Sequence, residues 1–347
     1  MNKAMHFIDR LPWDVSLTPA EKQIRYTIII PVKAINEYIR ETVPCIQKLR
    51  RDDWQLVILP NEADPDEWHD PRISIVPSGQ VGPAAKRDIG ATIAQGDILV
   101  FLDDDSYPEP DVLDVAERYF ADENVVALGG PAITPPHDNF WQKVSGAVFL
   151  SKLSGGAPER YAPVGKARPV DDWPSVNLMV RRDDFLAIGG FNSPYWPGED
   201  TKLCLDLIQK TGKQILYVPE MRVWHHRRAG LAAHLRQVGG YGIHRGYFAK
   251  EYPETSRKPL YFVPSAFVLF VAGSIVVPLI NIQTTWLFLA GWAAYFWALL
   301  KAWFDMRKYE TPSVAIAAVG YTFLTHLWYG MRFIQGLLTS KLVSHLR

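Results

Sequence analysis

A 347-residue chain with 37 basic and 37 acidic residues has no net charge, so its global charge directs it to no acidic partner. The length admits one large domain with extra elements, or two domains. Two cysteines, Cys45 and Cys204, fall in predicted helices far apart in sequence; they make no disulfide framework and agree with a reducing compartment.

Residues 1–24 read as a polar leader containing Leu11, Pro12, Trp13 and Pro19, without the apolar core that directs secretion. Tyr26 to Val32 is rich in β-branched residues and predicts a strand. Asn36 to Leu49 predicts a helix with Ile39, Val43, Ile46 and Leu49 on one face. Strands follow at Trp54 to Leu59 and Ile73 to Val76, then a helix from Pro83 to Ala94. Alternating strands and helices predict an open α/β sheet whose ligands sit outside the carboxyl ends of the strands.

The helix leads into Ile98 to Leu102, a short apolar run that stops at Asp103-Asp104-Asp105. Pro108 and Pro110 prevent its continuation. Three adjacent carboxylates repel one another, and in an extended chain Asp103 and Asp105 alternate to one side. Such a pair suits a divalent cation with hard oxygen ligands, or a ribose. Taken alone, the triplet fits a solvated acidic turn equally well. Lys86 and Arg87 open the preceding helix behind Gly79, Gly82 and Pro83, a setting fit for a diphosphate or for an ordinary basic face.

Val125 to Gly130 predicts another strand, and an irregular stretch follows to about Asp172. Its length suggests a lid or acceptor loop. Ser175 to Val180 predicts a strand, and Arg181 opens a helix ending at Gly189-Gly190. The acidic pair Glu199-Asp200 then precedes a helix from Leu203 to Thr211. A helix dipole favours such a pair, and the same position can present a general base. A strand from Ile215 to Val218 leads to Trp224, His225 and His226.

From His225 to Lys258, seven Lys and Arg outnumber two Glu, with Leu231, Leu235, Val238, Tyr241 and Tyr247 interleaved. This reads as basic interfacial helices on an anionic leaflet. Next, 42 residues from Pro259 to Leu300 carry no charge, enough for two spans of about 20 residues each. Spans are expected at about 260–280 and 285–304, joined by the turn at Asn281. A third is read at about 312–330, with a re-entrant or interfacial helix as the alternative. The positive-inside rule puts the clusters at 225–258 and 301–308 in the cytoplasm and disfavours the basic tail, Lys341 to Arg347, outside.

The segments IIIPVKAINEYI, GPAAKRDIGATIAQGDILVFLDDDSYP, SVNLMVRRDDFLAIGGFN and GEDTKLCLDL resemble, in order and spacing, the inverting family-2 glycosyltransferases of GT-A fold. The resemblance covers about Arg25 to Arg245, and THLWYGMRFIQGLL is similar to membrane-bound members that build bacterial exopolysaccharides or lipid-linked glycans. It implies a Rossmann-like open mixed sheet over residues 25–224, with membrane helices over 259–340.

The resemblance also implies site residues. Asp103 would face the nucleotide ribose, Asp104 would lie on the donor side, and Asp105 would hold the metal. Pro31 and Val32, with Glu37 nearby, match the first nucleotide loop; Lys86 and Arg87 match its basic position. Asp200 matches the general base, supported by Glu199, and His225 (or His226) completes the metal site. Where the family often has Asp-Asp-Gly-Ser, this chain has Leu59-Pro60-Asn61-Glu62-Ala63-Asp64, so Glu62 or Asp64 is left to meet the base. The Gln-x-x-Arg-Trp motif of processive synthases is missing after Gln237, which argues for single additions.

The expected reaction is metal-assisted direct displacement, with Mn²⁺ or Mg²⁺, from a nucleotide sugar (UDP favoured) to a lipid-linked or membrane glycan. The enzyme is expected at the cell inner membrane with its catalytic domain cytoplasmic, in contact with membrane lipids and with no nucleic acid. Transfer to polyprenyl phosphate is the near alternative. A non-catalytic nucleotide-sugar-binding scaffold is the alternative from another class.

Overall fold

The structure, a computed structural model, describes residues 23–65 and 67–343. Leu11 and Trp13 of the leader, and the end of the basic tail, lie outside the described residues. The described residues divide into two compact units: one takes those within 23–133, 163–225 and residue 343, the other 134–162 and 226–342.

The first unit is built on an eight-stranded sheet in the order β3-β2-β1-β4-β9-β6-β10-β8. The strands are β1 (Tyr26–Pro31), β2 (Trp54–Leu59), β3 (Ile73–Ile75), β4 (Ile98–Leu102), β6 (Val125–Gly129), β8 (Arg168–Val170), β9 (Asn177–Arg181) and β10 (Gln214–Tyr217). β1, β2, β3 and β4 pair in parallel, whereas β9 runs antiparallel between β4 and β6. β1, β2 and β4 are buried throughout, as strands covered on both faces must be.

Alternation along β1 sends Ile28 and Ile30 to one face and Ile29 to the other. On the first face they meet α1 (Glu37–Gln47) and α3 (Val112–Phe120) through Ile39, Val43, Leu113 and Ala116. On the second they meet α2 (Pro83–Ile93), α5 (Arg182–Ile188) and α6 (Glu199–Thr211) through Ala91, Phe185, Leu203 and Leu207. Gly96, just before β4, sits where a Cβ would come within 2.9 Å of the Tyr26 backbone, so only glycine lets the chain turn in beside β1. A smaller sheet, β5-β11-β7, joins β5 (Ser106–Pro108), β11 (Val223–His225) and β7 (Ala132–Ile133).

The stretch expected to be irregular contains a helix, α4 (Phe140–Ala147), in the second unit. Asn139 accepts from the Gln142 backbone and Gln142 returns the bond, a capping box. Surrounding glycines and prolines hid this signal.

The other helices of the second unit are α7 (Leu231–Glu251), α8 (Pro253–Ser256), α9 (Pro259–Ile280), α10 (Thr285–Met306) and α11 (Pro312–Leu338). α9, α10 and α11 are each long and apolar enough to cross a membrane. α7 packs on α11 through small residues: a Cβ on Gly242 or Gly246 would come within 2.8 Å and 2.1 Å of the Tyr329 and Phe333 carbonyl oxygens.

Gly246→Leu is therefore expected to force the two helices apart. Overpacking of this kind costs roughly 1–3 kcal/mol or more, since the obstacle is backbone and cannot swing away. Thermal unfolding followed by tryptophan fluorescence in lipid nanodiscs should show a lower midpoint. Gly320→Ala, at a helical site where a Cβ meets nothing within 4 Å, should leave the midpoint unchanged or raise it.

Candidate active site

The Asp turn at the end of β4 is closed by Ser106. Its Oγ lies 2.9 Å from the Asp103 carbonyl and 3.1 Å from the Asp103 amide. β5 then pairs antiparallel with β11, which sets His225 opposite Ser106 and beside Asp105. His225 Nε2 lies 3.1 Å from Asp105 Oδ1, and the Asp105 carboxylate is buried. One ligand atom each from Asp103, Asp105 and His225 falls within 4.8 Å of the others. Two carboxylate oxygens and an imidazole nitrogen form a donor set that fits a divalent ion such as Mn²⁺. His226 is directed elsewhere, with Nδ1 2.5 Å from Asp138 Oδ1 in the second unit.

Asp104 is held from the side. Asn36 caps α1 through Oδ1, which accepts from the Ile39 amide, and donates Nδ2 to Asp104 Oδ2 at 2.8 Å. The N-cap role of Asn36 is legible in sequence, but its second bond is not.

Three consecutive residues of α2 fan out to three destinations. Lys86 Nζ donates to Val32 O at 2.6 Å, Leu59 O at 3.1 Å and Asn61 Oδ1 at 2.6 Å. It thus ties together the loops that follow β1 and β2. Burial lowers its pKa to about 8, with the Asp104 charge opposing, and three acceptors around Nζ favour the ammonium form. Arg87 is buried and forks: one nitrogen donates to Asp103 Oδ1 at 2.6 Å, the other to Glu199 Oε1 at 3.2 Å. Its guanidinium also lies over the Phe191 ring, 5.6 Å from the centroid. Asp88 accepts from the amides of Phe191 at 2.8 Å and Asn192 at 3.1 Å. Sequence reasoning gave Asp88 and Asn61 no role, since their partners come from distant segments.

The other acidic residues of interest are placed as follows. α6 begins at Glu199 after Gly198, whose φ of 112° is a left-handed conformation suited to glycine. Glu199 is buried. Desolvation, then the neighbouring Asp200 charge, raise its pKa above the ordinary range, while Arg87 opposes them. Asp200 is half-buried, with Oδ1 accepting from the Thr201 amide at 2.8 Å. Next in line, Thr201 Oγ1 donates to the buried Asp172. Of the acidic pair, then, Glu199 is committed to Arg87 and Asp200 is the more accessible carboxylate. Pro31 and Val32 are buried at the end of β1. Glu37 stands on the solvent side of α1, 2.7 Å from Arg40. Glu62 is exposed in the turn after β2, while Asp64 accepts from the Ile35 amide at 3.1 Å.

Residues 98–304 match the sequence family described as glycosyl transferase family group 2, which is more than half of the chain. The chain belongs to this family. It is 27% identical over 252 residues to the pre-mycofactocin glycosyltransferase of Mycobacterium tuberculosis, covering 72% of this chain and 52% of that protein. It is 24% identical over 154 residues to the glucosyl-dolichyl phosphate glucuronosyltransferase of Haloferax volcanii, covering 42% and 47% of the two chains. The chain thus spans about half the length of the curated relatives it matches. Among solved structures, the mannosyltransferase PcManGT from Pyrobaculum calidifontis, in complex with GDP-Man and Mn²⁺, aligns with a TM-score of 0.52 at 19% identity. The alignment covers 97% of this chain and 93% of that one. That similarity establishes the fold: the family-2 glycosyltransferase carries a GT-A mixed sheet together with three helices long and apolar enough to span a membrane.

Proposed function

We propose that this glycosyltransferase moves a hexosyl group, with inversion, from a nucleoside-diphosphate sugar to a lipid-linked glycan. The observation that carries the reading is the fork of Arg87. It joins Asp103, one of three grouped metal-type ligands, to Glu199, the neighbour of Asp200, inside one unit.

In this reading Asp105 and His225 would hold a divalent cation, Mn²⁺ or Mg²⁺, and Asp103, which the resemblance set toward the ribose, is near enough to join them. When bound, the cation offsets charge on the departing diphosphate. Asp200 accepts the proton of the acceptor hydroxyl as its oxygen bonds to the anomeric carbon. The bond from that carbon to the diphosphate breaks, and the nucleoside diphosphate carries away the electron pair. Glu199 and Arg87 fix the start of α6, so that Asp200 keeps its place. Lys86 serves by holding the loops after β1 and β2, where Pro31 and Val32 would border the nucleotide. Asp104, Glu37 and Glu62 lie around the same strand ends and are assigned to the donor side.

A lipid-linked acceptor is supported by the apolar helices and by the Haloferax relative, a glucosyl-dolichyl phosphate glucuronosyltransferase. The seven basic residues of 225–258 favour a second acceptor, polyprenyl phosphate itself. By the positive-inside rule the catalytic unit is cytoplasmic, at the bacterial inner membrane.

The test is nucleoside-diphosphate release by protein in lipid nanodiscs, offered UDP-, GDP- and dTDP-sugars with Mn²⁺ or Mg²⁺ and either a lipid extract or polyprenyl phosphate. One donor, UDP-linked by expectation, should be turned over only with metal. Asp200→Asn should lower the rate by about 10²-fold or more with donor binding kept. Donor binding without release in the parent, whichever acceptor is given, would favour the non-catalytic scaffold.

A further inference from the structure

The three apolar helices differ in how the protein encloses them. Only 6% of the apolar window of α9 and 11% of that of α10 is buried, against 39% for α11. Contacts between α7 and α11 advance together along both helices. His234 Nε2 lies 2.8 Å from Thr325 Oγ1. Gly239 faces Trp328, Gly246 faces Phe333, and Gly336 of α11 faces Ile243. The helices therefore run side by side in one direction over residues 321–337 of α11.

α7 is no membrane helix, because it carries Arg236, Gln237, His244 and Arg245 and has Lys250 and Glu251 in its last turn. α11 also contributes Arg332, whose Nε lies 3.4 Å from Gly239 O. Each Arg or Lys at the centre of a bilayer costs about 2.5–3.5 kcal/mol on insertion scales. These charges disfavour the hydrocarbon for the α7-bound stretch of α11, which also meets α9 through Ser265 and Gly330 (3.1 Å) and α10 through Tyr295 and His326 (3.0 Å). Residues 312–320 remain. At about 1.5 Å per residue they reach about 14 Å, half of the roughly 30 Å a span must cover. Their end is also engaged, because Trp141 of α4 stacks on Tyr321 at 6.0 Å. Charge agrees with this placement: Arg307 and Lys308 precede α11, Arg332 lies in its C-terminal third, Lys341 follows it, and the turn at 281–284 has no Lys or Arg.

We propose that, among the described residues, α9 and α10 cross the membrane and α11 lies along the bilayer surface. Its exposed stripe of Ile316, Leu324, Trp328, Met331 and Leu338 meets the headgroup–acyl boundary of the same leaflet from which α9 enters. Phe140 and Trp141, exposed on α4, extend this apolar surface. The proposal does not rest on the reading of the catalytic residues.

Single thiols in the full chain test it. In a Cys45→Ser background, with buried Cys204 retained, Lys166→Cys, Gln283→Cys and Ser340→Cys each place a thiol at an exposed position. A membrane-impermeant maleimide applied to intact cells should label position 283 only; positions 166 and 340 should react after permeabilisation. Labelling of position 340 together with 283 would overturn the proposal, as would labelling of 283 together with 166. If Ser340→Cys does not fold, Lys341→Cys replaces it. A nitroxide on Leu324→Cys, mid-way along α11, should report headgroup depth; a depth at the bilayer centre would overturn the proposal independently.

Discussion

Arg87→Met is expected to destabilise the catalytic unit by about 3–5 kcal/mol, the usual cost of removing one partner from a buried ion pair. The cost falls mainly at Glu199. The Asp103 side chain is 35% exposed and regains water, but Glu199 is 6% exposed and, with Arg87 gone, must either stay charged without a counter-ion or take up a proton, and both cost stability. Domains are stable by only about 5–15 kcal/mol, so the loss should be plain in thermal unfolding in nanodiscs. Adding Glu199→Gln should recover a large part of it, because the uncompensated carboxylate is gone. Arg87→Lys should recover less, since one ammonium cannot reproduce the fork to two acceptors. If Arg87→Met unfolds like the parent, the link between Asp103 and Glu199 has no structural weight.

Asp105→Asn is the second large effect. It keeps size and removes the buried carboxylate next to His225 Nε2. Under the proposed metal role, the affinity for Mn²⁺ measured by calorimetry with a nucleoside diphosphate present should fall by about 10²-fold or more, and product release should fall with it. Stability without metal should move the other way or not at all, because a buried carboxylate carries a desolvation cost that an amide does not. This split separates a ligand from a structural group. A variant that binds Mn²⁺ like the parent would remove Asp105 from the metal site.

The sheet was largely legible because its strands are β-branched runs bounded by turn residues, and the Asp turn was legible because an apolar run stops there abruptly. The antiparallel insertion of β9 was not: a strand buried on both faces reads the same in either direction. Nor could adjacent histidines be told apart by composition. The register of β11 on β5 sets His225 beside Asp105, while His226 turns to Asp138. Lys86 shows the same limit. Helical periodicity says which face it occupies, but its three acceptors come from two strand ends and a turn. On α7, the charges point to a lipid surface, and nothing in the sequence marks the glycines that seat the helix on α11.

Lys86, Arg87 and Asp88 occupy less than one turn of α2, yet they fasten the loops after β1 and β2, the Asp103–Glu199 link and the turn before α6. Segments joined to one hub share its fluctuations. A slip or local melting of this single turn would release every one of them together, so the region is expected to open as one unit.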